Sequence, residues 1–295
     1  MPAARVQAFA KVNLALRVLA REASGYHQLE TLFCRIDLAD DVIVRVHDGG
    51  ERALDCRGAD AGPAEKNLAW RAAAAYAERD GWPRGFAIEI EKRIPVGGGL
   101  GGGSADAGAV LRALNALNPR PLPERELLAL ALALGADVPF LTTDAPLALA
   151  WGRGERMLAL PALPERELAL VLPSFGVPTA DAYTWLAAAR ALAPATHGAA
   201  AHPLAAVTTW SGVARLSTND FEGPVFERLP ELRGVHERLA AVPGVALARM
   251  SGSGSTLFAL FDGEMELRLV SQSTGCRVLA ARTLAEVPLV GVDLD

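Results

Sequence analysis

"IPVGGGLGGGSADAGAVL", residues 94–111, places six glycines between Pro95 and Ser104 and then runs directly into a helical pattern. Each ordered glycine costs roughly 0.5–1 kcal/mol relative to alanine, so such a run is worth keeping only where a bare main chain is needed. A turn with a helix cap requires one or two glycines. Six leave a row of unobstructed N–H groups at a helix N-terminus, where free amides and a partial positive charge suit a phosphate. The segment before the loop, FAIEIEKR (86–93), reads as a strand. Behind the loop, Val110, Leu111, Leu114 and Leu117 form a helical stripe, with Ser104 expected at the N-cap and Asp106 in the first turn.

Two other phosphate-loop designs do not fit. The Walker loop ends in Gly-Lys-Ser/Thr, whereas this one ends in Gly-Gly-Ser. Gly97, Gly99 and Gly102 match the dinucleotide fingerprint in letters, and Glu124 lies at a suitable distance. That fingerprint needs its acid on a strand after the helix, and Glu124 opens a second helix instead.

The chain has 295 residues, 51% of them hydrophobic, which allows two domains with sizeable cores. No stretch is long and apolar enough to span a bilayer, and MPAARVQAFAKV lacks the pattern of a secretory signal, so a cytoplasmic protein with no membrane partner is expected. A net charge of −5 with scattered arginines excludes the basic stripe of a nucleic-acid binder. Cys34, Cys56 and Cys276 are far apart and odd in number, which fits reduced, mostly buried thiols and neither a zinc site nor a disulfide framework. Lysine occurs only as Lys11, Lys66 and Lys92 among 29 basic residues. A compact ammonium differs from a guanidinium in being a point charge, which draws attention to Lys11.

RVQAFAKVNLALRV (5–18) alternates as a strand, with Val6 to Val18 on one face and Gln7, Phe9, Lys11 and Asn13 on the other. Further strands are predicted at 30–37, 41–47, 146–151, 155–160 and 167–172. Helices are predicted at 67–79, capped by Asn67, and at 123–134, stopped by Gly135. Residues 193–206 are weakly patterned and read as a mobile connection. The end of the chain reads as strand (245–250), SGSGS, strand (256–261), a helix-like segment (263–273) and a last strand (276–282). A boundary near 155 gives two domains, 1–155 and 156–295.

The segment Pro95-Val96-Gly97-Gly98-Gly99-Leu100-Gly101-Gly102-Gly103-Ser104 resembles the ATP-phosphate loop of the GHMP kinases, which departs from Walker geometry. Ala10-Lys11-Val12-Asn13-Leu14, Gly25-Tyr26-His27 with Leu32-Phe33, Gly135-Ala136-Asp137-Val138-Pro139 and Ser251-Gly252-Ser253-Gly254 match one branch of that family in order and approximate position, so the resemblance spans nearly the whole chain. It implies an α+β, two-domain GHMP kinase fold: a ribosomal-protein-S5-like N-terminal lobe that binds ATP and a ferredoxin-like C-terminal lobe, with the active site between them. The activity it implies is ATP-dependent phosphorylation of the 2-hydroxyl of a cytidine diphosphate ester of methylerythritol, in non-mevalonate isoprenoid biosynthesis. Another GHMP small-molecule kinase, for mevalonate, homoserine or a sugar, is the alternative, and Gly25-Tyr26-His27 with Tyr183 argues against it. A noncatalytic nucleic-acid binder is opposed by net acidity and by the presence of Lys11 and Asp137.

The resemblance also implies roles for individual residues. Asp137 is the expected catalytic base, with Lys11 its partner; taken alone, an Asp after Gly-Ala reads equally as a turn residue. Asn13, two positions from Lys11 on one strand face, is expected to touch the same substrate. Tyr26 and His27 are expected to cover and read the cytosine, Tyr183 after Pro178-Thr179 to supply the second aromatic face, Thr179 to lie near the erythritol, and Phe33 to complete the substrate site. Core packing is the other reading of Tyr26 and Tyr183. Residues 95–104 with Ala105, and Asn67-Leu68 near the adenine, are expected to hold ATP, although Asn67 serves equally as a helix cap. Two such substrates bring roughly six negative charges to an acidic protein, which calls for Mg²⁺. Its protein ligands stay open: Gly102 and Gly103 stand where some GHMP kinases place a serine, and Ala105 follows Ser104 where relatives often have a second one.

Overall fold

The computed structural model describes residues 1–21, 27–58, 62–152, 154, 156–192 and 204–294. Two long strands dominate the first lobe: β1 (Ala3–Arg21) and β2 (His27–His47) pair antiparallel over most of their length. β2 is one continuous strand where the sequence predicts two. Its far edge is shared, with residues 41–47 pairing β4 (Gly85–Glu91) and residues 29–34 pairing β5 (Leu147–Gly152). β3 (Arg52–Arg57), absent from the sequence expectation, lies parallel to β4, and β6 (Arg156–Leu160) pairs β5. The short C-terminal β11 (Gly291–Asp293) returns to the outer edge of β1. Residue 155, where the domain boundary is expected, lies outside the described residues.

α1 (Leu68–Asp80), α2 (Gly102–Leu117), α3 (Glu124–Leu134) and the short α4 (Val138–Thr142) pack with this sheet. α1 begins as predicted: Asn67 has extended backbone, and its side chain accepts from Ala69 N–H at 2.8 Å. α2 does not begin at Ser104. Gly101, at φ +74°, is the N-cap, so the helix starts earlier and Ser104 falls inside its first turn. A left-handed glycine ends the loop sooner than a capping side chain would. Asp106 is consequently a turn deeper than expected and is buried.

The second lobe is a four-stranded antiparallel sheet in the order β10 (Arg277–Arg282), β7 (Glu167–Leu172), β9 (Leu257–Phe261), β8 (Val245–Met250). Its helices are α5 (Thr179–Leu192), α6 (Leu204–Val207), α7 (Trp210–Leu216), α8 (Glu222–Arg228), α9 (Pro230–Ala240) and α10 (Leu267–Thr274). The expected mobile connection at 193–206 lies outside the described residues up to 203, and 204–206 begin α6.

There are two main cores, and the larger one also takes in Leu168, Leu170, Phe258 and Leu260 from one face of the second sheet. The larger packs the first sheet against α1 and α2 through Val12, Leu14, Ile88, Val110 and Leu114; the smaller packs the second sheet against α8 and α9 through Phe226, Leu232 and Leu239. The far end of β1 belongs to the second core through Leu16 and Val18. That end is also hydrogen-bonded to the 217–220 segment: Leu16 N–H donates to Thr218 O, Asp220 N–H to Leu16 O and Val18 N–H to the Asp220 carboxylate. Of the thiols only Cys34 is buried; Cys56 and Cys276 are partly exposed, a correction to the expectation of mostly buried cysteines. Cys56 sits on β3 at the edge of the first sheet and Cys276 just before β10 at the edge of the second, where burial is only partial. Among the described residues no helix is long and apolar enough to cross a membrane.

Candidate active site

A cleft of about 700 Å³ is lined by residues 95–104 of the glycine loop, by Lys11, Asn13 and Phe33 from β1 and β2, by Asp137 at the start of α4, and by Thr179, Tyr183 and Gly252–Gly254 from the second lobe. The strand pair supplies the floor through irregularity that the alternating sequence does not reveal. The β1/β2 register shifts between Phe9 and Lys11 and again between Asn13 and Ala15. A bulge frees a main-chain group from the ladder, and Lys11 N–H donates to Leu100 O of the loop at 3.0 Å.

The Lys11 ammonium, 3% exposed, lies 3.2 Å from Asp137 Oδ2, and donates to Asn13 Oδ1 at 2.7 Å and Gly99 O at 3.1 Å. Asn13 in turn donates from Nδ2 to Thr31 Oγ1 at 2.8 Å, which fixes the amide's orientation. One cation thus joins a carboxylate, an amide and the glycine loop. Phe33 lies beneath it, with its ring centroid 5.6 Å from Nζ.

The second lobe closes on the loop at the same point. Ser251 Oγ donates to Gly99 O at 2.8 Å, Thr256 N–H donates to Gly98 O at 3.3 Å, and Thr179 Oγ1 and Ser253 Oγ are 3.0 Å apart. Tyr183 packs edge-on against Phe221, with centroids 4.9 Å apart, while lining the cleft.

Asn67 and Leu68 also line the cleft. Ala105 is not among the cleft-lining residues and is 1% exposed on the buried face of α2. Tyr26 lies outside the described residues. His27 is described only as the first residue of β2.

Lys92 and Asp106 also line the cleft, backed by the fully buried Asp40, and the sequence expectation places none of the three there. All three lysines of the chain line this one cleft, so lysine scarcity was the signal that could have found Lys92. Its ammonium is paired with Asp40 and, at 2.6 Å, with Asp106. Asp40 also accepts from the N–H groups of Arg93 and Ile94. The cluster therefore ties the strand entering the loop to the helix leaving it. Burial works against the Lys92 ammonium, but the two carboxylates outweigh it and raise its pKa. Asp40 has the richer set of donors, whereas Asp106 Oδ1 is buried without a partner among the described residues. Burial pushes the Asp106 carboxyl up to about 7 despite Lys92, helped by the charge of Asp40.

A carboxyl whose pKa is higher in the native state than in the unfolded chain keeps a proton that the unfolded chain has lost. Its contribution to stability therefore declines as pH climbs from the ordinary carboxyl range, about 4, to about 7, and is flat above that. Asp106→Asn removes this penalty while Lys92 keeps Asp40. The melting temperature of the variant, relative to the parent chain, is expected to be higher at pH 8 than at pH 5 by at least about 2 °C. Equal differences at the two pH values in thermal melts would contradict the assignment.

Among the described residues no group of three or more His, Cys, Asp and Glu is placed to hold a metal. The glycine loop is a main-chain cradle: a side chain at Gly98 or Gly99 would collide with Thr256 Oγ1 or Ser251 O.

Comparison with known proteins gives matches over nearly the whole chain. The sequence model of the GHMP kinases N terminal domain matches residues 67–144, and that of the GHMP kinases C terminal matches residues 201–273. A 4-diphosphocytidyl-2-C-methyl-D-erythritol kinase of Thermus thermophilus is 42% identical over 268 residues, 90% of each chain. One from Desulfitobacterium hafniense is 39% identical over 265 residues, 90% of this chain and 89% of the relative. A crystal structure of 4-(cytidine 5'-diphospho)-2C-methyl-D-erythritol kinase superposes with a TM-score of 0.76 at 40% identity, covering 95% of this chain and 98% of the other.

Proposed function

The chain belongs to the GHMP kinases, in the family of 4-diphosphocytidyl-2-C-methyl-D-erythritol kinases, and from that membership we propose that it moves the γ-phosphoryl group of ATP onto the 2-hydroxyl of 4-diphosphocytidyl-2-C-methyl-D-erythritol. As a member it is an ATP-dependent small-molecule kinase of isoprenoid biosynthesis. The observation that carries the finer reading is the position of Lys11, whose ammonium touches both the Asp137 carboxylate and the Gly99 carbonyl of the glycine loop.

Phosphoryl transfer asks a protein mainly for alignment and charge compensation. The amides of residues 95–104 cradle the triphosphate, with the adenine toward Asn67 and Leu68. Asp137 takes the proton of the acceptor hydroxyl, and Lys11 offsets the charge that develops on its oxygen. Asn13 and Thr179 bind the methylerythritol portion. Tyr183, with Tyr26 and His27, holds the cytosine, and Phe33 supports Lys11 from below. Mg²⁺, bound through the phosphates of ATP, would neutralise part of their charge.

ADP release from Mg-ATP is the direct test, measured with four acceptors: the cytidyl ester, mevalonate, homoserine and galactose. Turnover with the ester alone is expected. Turnover with another acceptor and none with the ester would overturn the assignment.

A further inference from the structure

Arg35 is a guanidinium that the reaction scheme above does not use, and it is almost wholly enclosed, at 1% exposure. It stands on β2 directly opposite Lys11 on β1. Its hydrogen bonds all go to main-chain carbonyls around the C-terminal end of α4: Nη2 to Phe140 O at 2.8 Å and Thr143 O at 2.7 Å, and Nε to Ala145 O at 3.1 Å. The carboxylate that bears on it, Asp144, is itself bonded to Arg112 at 2.8 Å. Burial, with Arg112 nearby, pushes the Arg35 guanidinium down to about 9, so the side chain remains charged at neutral pH.

A buried cation without its own carboxylate is an expensive feature, and an apolar residue of similar size often replaces one without loss of stability. What Arg35 holds explains its place. α4 has five residues, too few to keep a helix in position by itself, and Asp137 is the residue at its N-terminal end. Arg35 grips the opposite end. Its guanidinium also lies 5.0 Å from the Phe140 ring, Phe140 stacks on Phe33 at 4.9 Å, and Phe33 lies under the Lys11 ammonium. Asp137 and Lys11 are therefore referenced to a single column that ends on Arg35.

We propose that Arg35 is a positioning residue for phosphoryl transfer, acting through α4 and the Phe140–Phe33 stack to hold Asp137 against Lys11 and the acceptor hydroxyl. This rests on the reading of Asp137 as the base. A shift of the order of 1 Å in a reacting group can cost about a hundredfold in rate, so a partial loosening of α4 has a measurable effect without contact to either substrate.

The test is a double-mutant cycle of Arg35→Met with Asp137→Asn, with turnover counted per nucleotide-binding site so that unfolded molecules do not enter. Arg35→Met is expected to lower kcat at least about tenfold while KM for ATP and for the cytidyl ester stays within roughly threefold. Arg35→Lys, which keeps the charge but cannot span three carbonyls, is expected to fall between. In the Asp137→Asn background the Arg35 substitution is expected to cost less than about twofold, because the group it positions has gone. If Arg35→Met yields no nucleotide-binding sites, the same cycle is run with Arg35→Lys and the same criterion. An equal cost in both backgrounds, or an unchanged kcat per site, overturns the positioning role alone. Near-normal turnover by Asp137→Asn itself would instead overturn the base assignment.

Discussion

Asp137→Asn is expected to reduce turnover by at least about a hundredfold, the lower range of general-base contributions, while nucleotide still binds. The substitution keeps the size of the side chain and removes its capacity to take a proton. Asp137 is about one-third exposed and faces the cleft, whereas Lys11 behind it is buried, so the lost function is local to the reacting hydroxyl. The glycine loop keeps Lys11, which still has Asn13 Oδ1 and Gly99 O as acceptors. Nucleotide titration alongside steady-state ADP release separates the two effects: unchanged nucleotide affinity with collapsed kcat is the expected pattern. Turnover near that of the parent chain would remove Asp137 from the reaction.

The second large effect is expected at Gly99. Its φ is +78°, and a Cβ there would stand 2.1 Å from Ser251 O, a main-chain atom of the second lobe. Gly99→Ala therefore combines the left-handed backbone penalty, about 1–2 kcal/mol, with a collision that only displacement of the 251–254 turn relieves. That turn and Lys11 both donate to Gly99 O, so the loop is expected to lose its shape and KM for ATP to rise at least about tenfold. Gly97→Ala is the control. Gly97 has the same φ of +78° but nothing within 4 Å of an added Cβ, so only the backbone penalty applies there. Indistinguishable kinetics for the two variants would mean that the contact between the lobes does not shape the loop.

What could be read from the sequence was local. The strand of residues 5–18, the glycine loop and the Asn67 cap each declare themselves within a dozen residues, and the structure has β1, the loop before α2 and the start of α1 at those places. The unread features depend on partners far away in the chain. Lys92 meets Asp40 across 52 positions, and Arg35 meets Phe140 across 105; neither spacing leaves a periodic trace. The bulges flanking Lys11 and Asn13 are invisible because alternation resumes on each side of them. The sequence points to Ser104 as the start of α2 because Ser is a strong cap former, and the competing left-handed glycine has no side-chain signature. Some distant elements do carry a local signature. PELRGVHERLA carries Leu232, Val235 and Leu239 at helical spacing, and these are the buried residues of α9.

The stitching of β1 to the 217–220 segment has a mechanical consequence. The strand that bears Lys11 and Asn13 runs on into the second core and is bonded there through Leu16 and Val18. The two halves of the molecule therefore share a beam, and a jaw-like opening would have to break these bonds. On the proposed reading, the floor beneath the transferred phosphoryl group is part of that beam, whereas the 95–104 and 252–254 segments line the cleft from the two sides.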